Sequence, residues 1–127
     1  MSEERVIAVA AEDDRGLEGE VGAHFGRCPY FAFVDVDECD VKAVEVVDNP
    51  YYTGHQPGQV PGFINQKKAN VMLSGGMGGR AIQFFQQYGI AAATGATGTV
   101  RTALESYLGG ELIDAAPCKE SMEHGQG

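Results

Sequence analysis

Basic residues are scarce in this sequence, which has nine Lys and Arg against eighteen Asp and Glu and a net charge of −9. A surface of that charge repels nucleic acid and anionic lipid, so neither is expected as a partner. Long apolar runs are missing as well, since none approaches the roughly 20 residues that a membrane span needs. The first residues, Met1–Arg5, lack the charge and the apolar run of a signal peptide. We therefore expect a cytoplasmic protein.

Cysteine is also rare, with Cys28, Cys39 and Cys118 widely separated and odd in number. A disulfide framework is therefore not expected. No C-x-x-C pair is present, and a closed zinc or iron–sulfur site made only of thiolates needs four ligands. Cys39, in a short polar turn, is predicted to be an exposed thiol rather than a ligand.

Glycine, in contrast, is abundant, and four glycines fall between Gly75 and Gly79. They follow the apolar run Val71–Leu73 and precede a helical pattern, which predicts a strand, a loop and a helix. We call Ser74–Gly79 the first glycine loop. Bare backbone and a helix start together favour a bound anion. A tight turn without a ligand is the alternative, and this segment alone does not decide between them.

The hydrophobic pattern of 127 residues predicts one α/β domain with a mixed five-stranded sheet and flanking helices. The predicted strands are Arg5–Ala10, Tyr30–Val36, Val41–Val47, Ala69–Leu73 and Ile90–Ala93. The predicted helices run from Val60 to Lys67, from Gly79 to Tyr88 and from Val100 to Leu108. We expect residues 1–112 to form the domain and residues 113–127 to form a flexible tail.

The connections between these elements predict how the strands pair. Asp37–Asp40 has the length of a hairpin turn, so the second and third strands are expected to be antiparallel. The fourth and fifth strands each lead through glycines into a helix, which predicts parallel pairing. We call Thr94–Thr99 the second glycine loop. Ligands of open sheets bind outside the carboxyl ends of parallel strands, where both glycine loops are expected to lie.

Two further loops carry residues with ligand chemistry. Gly22–Pro29, which we call the histidine loop, holds His24, Arg27 and Cys28, and we expect it to face the glycine loops. The long irregular segment Asp48–Pro61 holds His55. The acidic turn Glu12–Gly16 has the charge to bind a divalent cation, although a solvated loop is favoured.

Patterns of several enzyme classes are incomplete. Gly76–Ala81 fits G-x-G-x-x-A, but the chain reads Thr97-Gly98-Thr99 about twenty residues on, where a nicotinamide site needs an acidic residue. No Lys-Ser or Lys-Thr follows the glycines, as a P-loop requires. Ser74 or Cys28 with His24 or His55 is a conceivable nucleophile pair, but without the nucleophile-elbow pattern. We therefore do not expect an enzyme.

The sequence resembles the dinitrogenase iron-molybdenum cofactor biosynthesis family over roughly Val6 to Leu112. The resemblance depends on three segments: the run His24-Phe25-Gly26-Arg27-Cys28-Pro29-Tyr30-Phe31, then Ser74-Gly75-Gly76-Met77-Gly78, then Gly89-Ile90. That family includes nitrogenase cofactor carriers and the molybdenum-copper orange protein. The resemblance implies a ribonuclease-H-like fold, and binding or transfer of metal–sulfur clusters rather than catalysis. Cys28 departs from the small residue frequent at that position of the family.

The predicted cluster-binding residues come from the two loops that carry the resemblance. They are His24, Phe25, Gly26, Arg27, Ser74, Gly75, Gly76, Met77, Gly78, Gly79 and Arg80. Amides of both glycine loops, with the two arginines, suit the sulfides of an iron–sulfur or molybdenum-containing cluster. The candidate metal ligands are His24, Cys28 and His55, with Cys118 and His124 of the tail as weaker candidates. Met77 is expected to pack against the core.

Two other functions remain open from the sequence. One is a regulatory module that binds partner proteins and no cluster, and the other is an enzyme acting on a small phosphorylated substrate. For the cluster carrier, the expected partners are cluster-assembly or acceptor proteins. A homodimer that shares one cluster between two copies of His24 and Cys28 is a further possibility.

Overall fold

The structure, a computed structural model, describes residues 4–51 and 58–110, so His55 and the predicted tail lie outside the described residues. The strands are β1 (Glu4–Ala11), β2 (Tyr30–Asp37), β3 (Asp40–Asp48), β4 (Val71–Leu73) and β5 (Ala91–Ala93). The helices are α1 (Gln59–Gln66), α2 (Gly79–Tyr88) and α3 (Val100–Leu108), and a 3-10 turn spans Gly16–Glu18. Every predicted helix and strand is present.

The strands form one sheet in the order β3-β2-β1-β4-β5. β2 pairs antiparallel with both β1 and β3, whereas β4 pairs parallel with β1 and β5. This arrangement confirms the predicted mixed sheet and α/β class, and it agrees with the ribonuclease-H-like topology that the resemblance implied. The tight turn between β2 and β3 uses Glu38 at a positive φ of 59°.

Side chains of β1 alternate between the two faces of the sheet and divide the core in two. Ile7 and Val9 pack with α3 on one face, and Ala8 and Ala10 pack with α1 and α2 on the other. All four are fully buried, as expected for a strand covered on both sides. α2 ends at Gly89 with a φ of 75°, which is the left-handed helix cap that its position predicts.

Cys39 differs from its prediction as an exposed thiol. Its side chain is half-buried against the cluster beneath α3, and it is disulfide-bonded. The expectation of an exposed free thiol is therefore wrong, because long-range packing decides the environment of this residue. The argument against disulfides from the odd number and wide spacing of the cysteines also fails for Cys39. None of the helices in residues 4–51 and 58–110 is long and apolar enough to cross a bilayer.

The segment before the histidine loop ties β1 to the second glycine loop. The Gly22 N–H donates to the Ala10 carbonyl at 2.7 Å, and the Val21 N–H donates to the Gly98 carbonyl at 2.9 Å. The histidine loop therefore starts from a fixed point at the carboxyl end of β1.

Candidate functional site

The histidine loop and the first glycine loop meet at the carboxyl edge of the parallel strands. The Gly75 N–H donates to the Gly22 carbonyl at 2.9 Å, and the Phe25 N–H donates to the Gly76 carbonyl at 2.9 Å. The expectation that these two loops face each other is therefore confirmed.

Between them the two loops form an open cavity of about 350 Å³. Its lining consists of His24, Phe25 and Arg27 from the histidine loop and Gly76, Met77 and Gly78 from the first glycine loop. None of these six residues carries a carboxylate, and the side chains of His24 and Arg27 are exposed. On a chain with a net charge of −9, this lining is a local surface that favours an anion.

The start of α2 supplies main-chain donors beside this cavity. Its N-cap residue, Gly78, has no side-chain cap. The Ile82 N–H is the first to close a helical turn, donating to the Gly78 carbonyl at 3.2 Å. The preceding amides, those of Gly79, Arg80 and Ala81, therefore have no acceptor within the helix. Such amides, with the positive end of the helix dipole, favour a bound anion.

Two of the predicted binding residues lie behind the cavity wall rather than in it. Ser74 is fully buried, and its Oγ donates to the Gly76 carbonyl at 2.8 Å. Gly75 packs so closely on Ala23 that a Cβ there would lie 2.9 Å from the Ala23 carbonyl oxygen. Both residues hold the first glycine loop in place, so we assign them to its support.

Cys28 points into the core. It is fully buried, and its Cβ lies within 2.9 Å of where a Cβ on Gly22 would be. Burial raises the pKa of the Cys28 thiol to about 11. Because a metal-bound cysteine is a thiolate, this environment opposes a ligand role, and we leave Cys28 out of the proposed site.

Arg80 and His55 also stay outside the cavity lining that the structure describes. The Arg80 side chain lines a separate shallow depression on α2 with Gln83, Phe84 and Gln87. Only its main-chain N–H belongs to the helix start beside the cavity. His55 lies outside the described residues, so its proposed ligand role stays a prediction.

The second glycine loop supports the first one through main-chain hydrogen bonds. The Gly95 N–H donates to the Gly75 carbonyl at 3.0 Å, and the Ala96 N–H donates to the Ser74 carbonyl at 3.2 Å. Thr99 caps α3 by accepting from the Thr102 N–H at 3.1 Å. The Gly95 and Ala96 amides serve the fold, so we leave the second glycine loop out of the proposed site. That the first glycine loop cradles a ligand stays a prediction.

Two apolar residues complete the cavity. The Phe25 ring packs edge-on against Phe85 with centroids 5.2 Å apart, which anchors the histidine loop to the core. Met77 is half-buried against the same cluster while it also lines the cavity. The predicted packing of Met77 is therefore correct, and its other side faces the cavity.

The acidic turn is hydrogen-bonded internally. Asp13 accepts from the Arg15 side chain at 3.1 Å and from the Glu20 N–H at 3.3 Å. The Arg15 guanidinium lowers the pKa of Asp13. Within residues 4–51 and 58–110, no group of three or more His, Cys, Asp or Glu side chains is placed to hold a metal ion. The solvated-loop interpretation of this turn is therefore the better one.

Sequence reasoning missed one residue of the site. Asn49 is absent from the predicted site residues, yet its Nδ2 donates to the Cys28 carbonyl at 2.8 Å and to the Gly26 carbonyl at 3.4 Å. The contact joins residues more than twenty positions apart, and no local pattern reports it. An Asn directly after a strand and before Pro was the only available signal.

The family model for the dinitrogenase iron-molybdenum cofactor matches residues 5–110 of this chain. The crystal structure of PH0822 is similar, with 43% identity, a TM-score of 0.75, and coverage of 84% of this chain and 93% of the other. The structure of the apo form of the orange protein (ORP) from Desulfovibrio gigas is 34% identical, with a TM-score of 0.75. The match covers 94% of this chain and 99% of that one. Protein MJ0580 of Methanocaldococcus jannaschii is 28% identical over 108 residues, which are 84% of this chain and 87% of that protein.

Proposed function

Because the chain belongs to the dinitrogenase iron-molybdenum cofactor family, we propose that it is a non-catalytic carrier or scaffold that holds a metal–sulfur cluster as cargo. The observation that carries the proposal is the cavity between the histidine loop and the first glycine loop. Main-chain donors, a guanidinium and an imidazole converge there without a carboxylate in the lining.

The donor set suits the chemistry of such a cargo. Sulfides of a thiometalate or iron–sulfur fragment carry negative charge and accept hydrogen bonds. The amides of Gly79–Ala81 donate to them, and Arg27 balances their charge. The His24 imidazole in the lining suits an open iron or copper position. A cargo held mostly by hydrogen bonds and a single imidazole is released without breaking several metal–ligand bonds, as a carrier requires.

The first test is the metal content of the protein itself. We expect protein expressed and purified without oxygen, in the presence of iron, sulfide and molybdate, to be coloured and to contain metal. Elemental analysis and a visible spectrum measure both properties. A colourless, metal-free protein under every such condition would contradict the proposal.

A second test addresses the cavity. Tetrathiomolybdate, a thiometalate anion, is titrated into the apo protein under argon. We expect Arg27→Ala and His24→Ala each to weaken binding by about tenfold, the effect of losing a charge-assisted contact. Arg101→Ala is the matched control, because Arg101 is an exposed arginine on α3 that pairs with Glu18. Equal loss of binding in Arg27→Ala and Arg101→Ala, with none in His24→Ala, would show that net charge alone governs the affinity.

The amides at the start of α2 also suit phosphate, so the alternative function as an enzyme acting on a phosphorylated substrate can be tested at the same site. Inorganic phosphate is therefore titrated in the same experiment. Tighter binding of phosphate than of tetrathiomolybdate would favour the enzyme acting on a small phosphorylated substrate. The cluster proposal also includes cluster-assembly or acceptor proteins as partners, which anaerobic affinity purification tests. It places the protein in the cytoplasm, which cell fractionation tests.

A further inference from the structure

Asn49, at 5% exposure, and Ser74, at 0%, are polar side chains that are almost completely buried. Each hydrogen-bonds to a carbonyl of one of the two loops around the cavity. Ser74 supports the first glycine loop, and Asn49 contacts the histidine loop. Burial of a polar group is costly unless it is hydrogen-bonded, so both positions are built for these contacts.

Asn49 uses its hydrogen-bonding groups at the point where β3 ends. Its main-chain N–H donates to the Pro29 carbonyl at 2.9 Å, which extends the pairing with β2 by one residue. Its Nδ2 donates to the Gly26 and Cys28 carbonyls, and its Oδ1 accepts from the Tyr51 N–H at 2.9 Å. The side chain therefore joins the histidine loop to the segment that follows β3.

The main-chain hydrogen bond that Arg27 makes within the histidine loop is weak. The Arg27 N–H donates to the His24 carbonyl at 3.4 Å, which is a long hydrogen bond, and Gly26 adopts a φ of 90°. The two carbonyls that Asn49 holds belong to the residues on either side of Arg27. Fixing both of them fixes the backbone from which the guanidinium extends.

We propose that Asn49 is a positioning residue that holds Arg27 and His24 opposite the first glycine loop. The part that concerns a ligand rests on the proposed function, whereas the order of the loop is measured without one. The role is exerted through the histidine loop, because Asn49 is absent from the cavity lining.

The test compares Asn49→Asp with Asn70→Asp. The first variant keeps the size of the side chain and an acceptor for the Tyr51 N–H, but it removes both donors. The control changes Asn70, whose side chain accepts from the Val6 N–H at 2.7 Å at the opposite end of the sheet. The readout is hydrogen exchange of the Phe25 amide, which bonds across to Gly76.

We expect Asn49→Asp to speed exchange of the Phe25 amide by about tenfold or more relative to β1 amides such as that of Ala8. The control should leave this ratio unchanged. An unchanged ratio in Asn49→Asp, or an equal loss of protection throughout the sheet, would overturn the proposal. Should a buried carboxylate prevent folding, Asn49→Ala removes the donors without adding charge, and the same outcomes apply.

Tetrathiomolybdate binding separates this inference from the proposed function. We expect Asn49→Asp to weaken binding by about tenfold while Asn70→Asp binds like the unmodified chain. Full affinity in Asn49→Asp would overturn the positioning role. If the unmodified chain does not bind the probe, the proposed function fails, and the exchange ratio alone decides the role of Asn49.

Discussion

A Cβ atom on Gly75 would lie 2.9 Å from both the Cα atom and the carbonyl oxygen of Ala23, so these residues pack backbone to backbone. We expect Gly75→Ala to push the two loops apart and to lower the free energy of unfolding by about 1–3 kcal/mol, the usual cost of overpacking. Urea denaturation measures this change. Gly79→Ala is the control, because a Cβ on Gly79 meets no atom within 4 Å. A neutral Gly75→Ala would contradict the close contact.

Ser74→Ala tests the support of the first glycine loop from within. The Gly76 carbonyl keeps its bond from the Phe25 N–H when the Ser74 hydroxyl is removed. We therefore expect a loss of about 1 kcal/mol in the free energy of unfolding, the net value of one hydrogen bond. Ser106→Ala, within α3, should change it by less than about 0.5 kcal/mol. Equal effects would mean that the Ser74 hydroxyl has no particular role.

Tyr107 carries a polar group with no evident benefit to stability. This residue belongs to α3, and its ring is fully buried on the side of the helix that faces the sheet. Its hydroxyl has no hydrogen-bond partner among the described residues. Tyr107→Phe removes that unpaired group, so we expect an unchanged or higher free energy of unfolding, by up to about 1 kcal/mol. Tyr88→Phe, on the exposed side of α2, should be neutral. A marked loss in Tyr107→Phe on thermal and urea denaturation would contradict this.

Cys28 predicts an alkaline pH dependence of stability. Its pKa is raised from 9.0 to about 11 in the folded chain. As the pH rises from 9 towards 11, the unfolded chain releases this proton while the folded chain keeps it. Stability therefore falls over this window, with a slope of at most about 1.4 kcal/mol per pH unit.

The comparison of Cys28→Ala with the unmodified chain isolates that contribution. We expect the variant to lack the extra loss of stability above pH 9, even if its stability at neutral pH is lower. A second measurement is thiol alkylation, which should leave Cys28 unmodified in the native protein at neutral pH and modify it after unfolding. Parallel stability curves, or rapid native alkylation, would contradict the buried thiol.

The fold was predictable because its signals are local. The β-branched run of β1, the hairpin length of Asp37–Asp40 and the glycine that ends α2 each determine structure within a few residues. The meeting of the histidine loop and the first glycine loop was predictable for a related reason. Both follow strands that end at the same edge of the sheet.

The sequence did not predict which residues line the cavity and which support the loops around it. Ser74, Gly75 and Cys28 adjoin lining residues in the sequence. In the structure Ser74 and Cys28 are buried, and Gly75 packs against the Ala23 backbone. In the second glycine loop, the Gly95 and Ala96 amides form hydrogen bonds that exist only in the folded chain. Asn49 contacts residues more than twenty positions away. Each of these outcomes depends on tertiary packing.

The exposed amides at the start of α2 have an evolutionary consequence. Every residue except proline carries a main-chain N–H, so amino-acid substitution at Gly79 to Ala81 leaves these three donors in place. Substitutions of His24 and Arg27 change the side chains of the cavity while these main-chain donors stay the same. If the cavity binds an anionic cluster as we propose, its preference among anions is adjustable by one or two mutations that leave these main-chain donors in place.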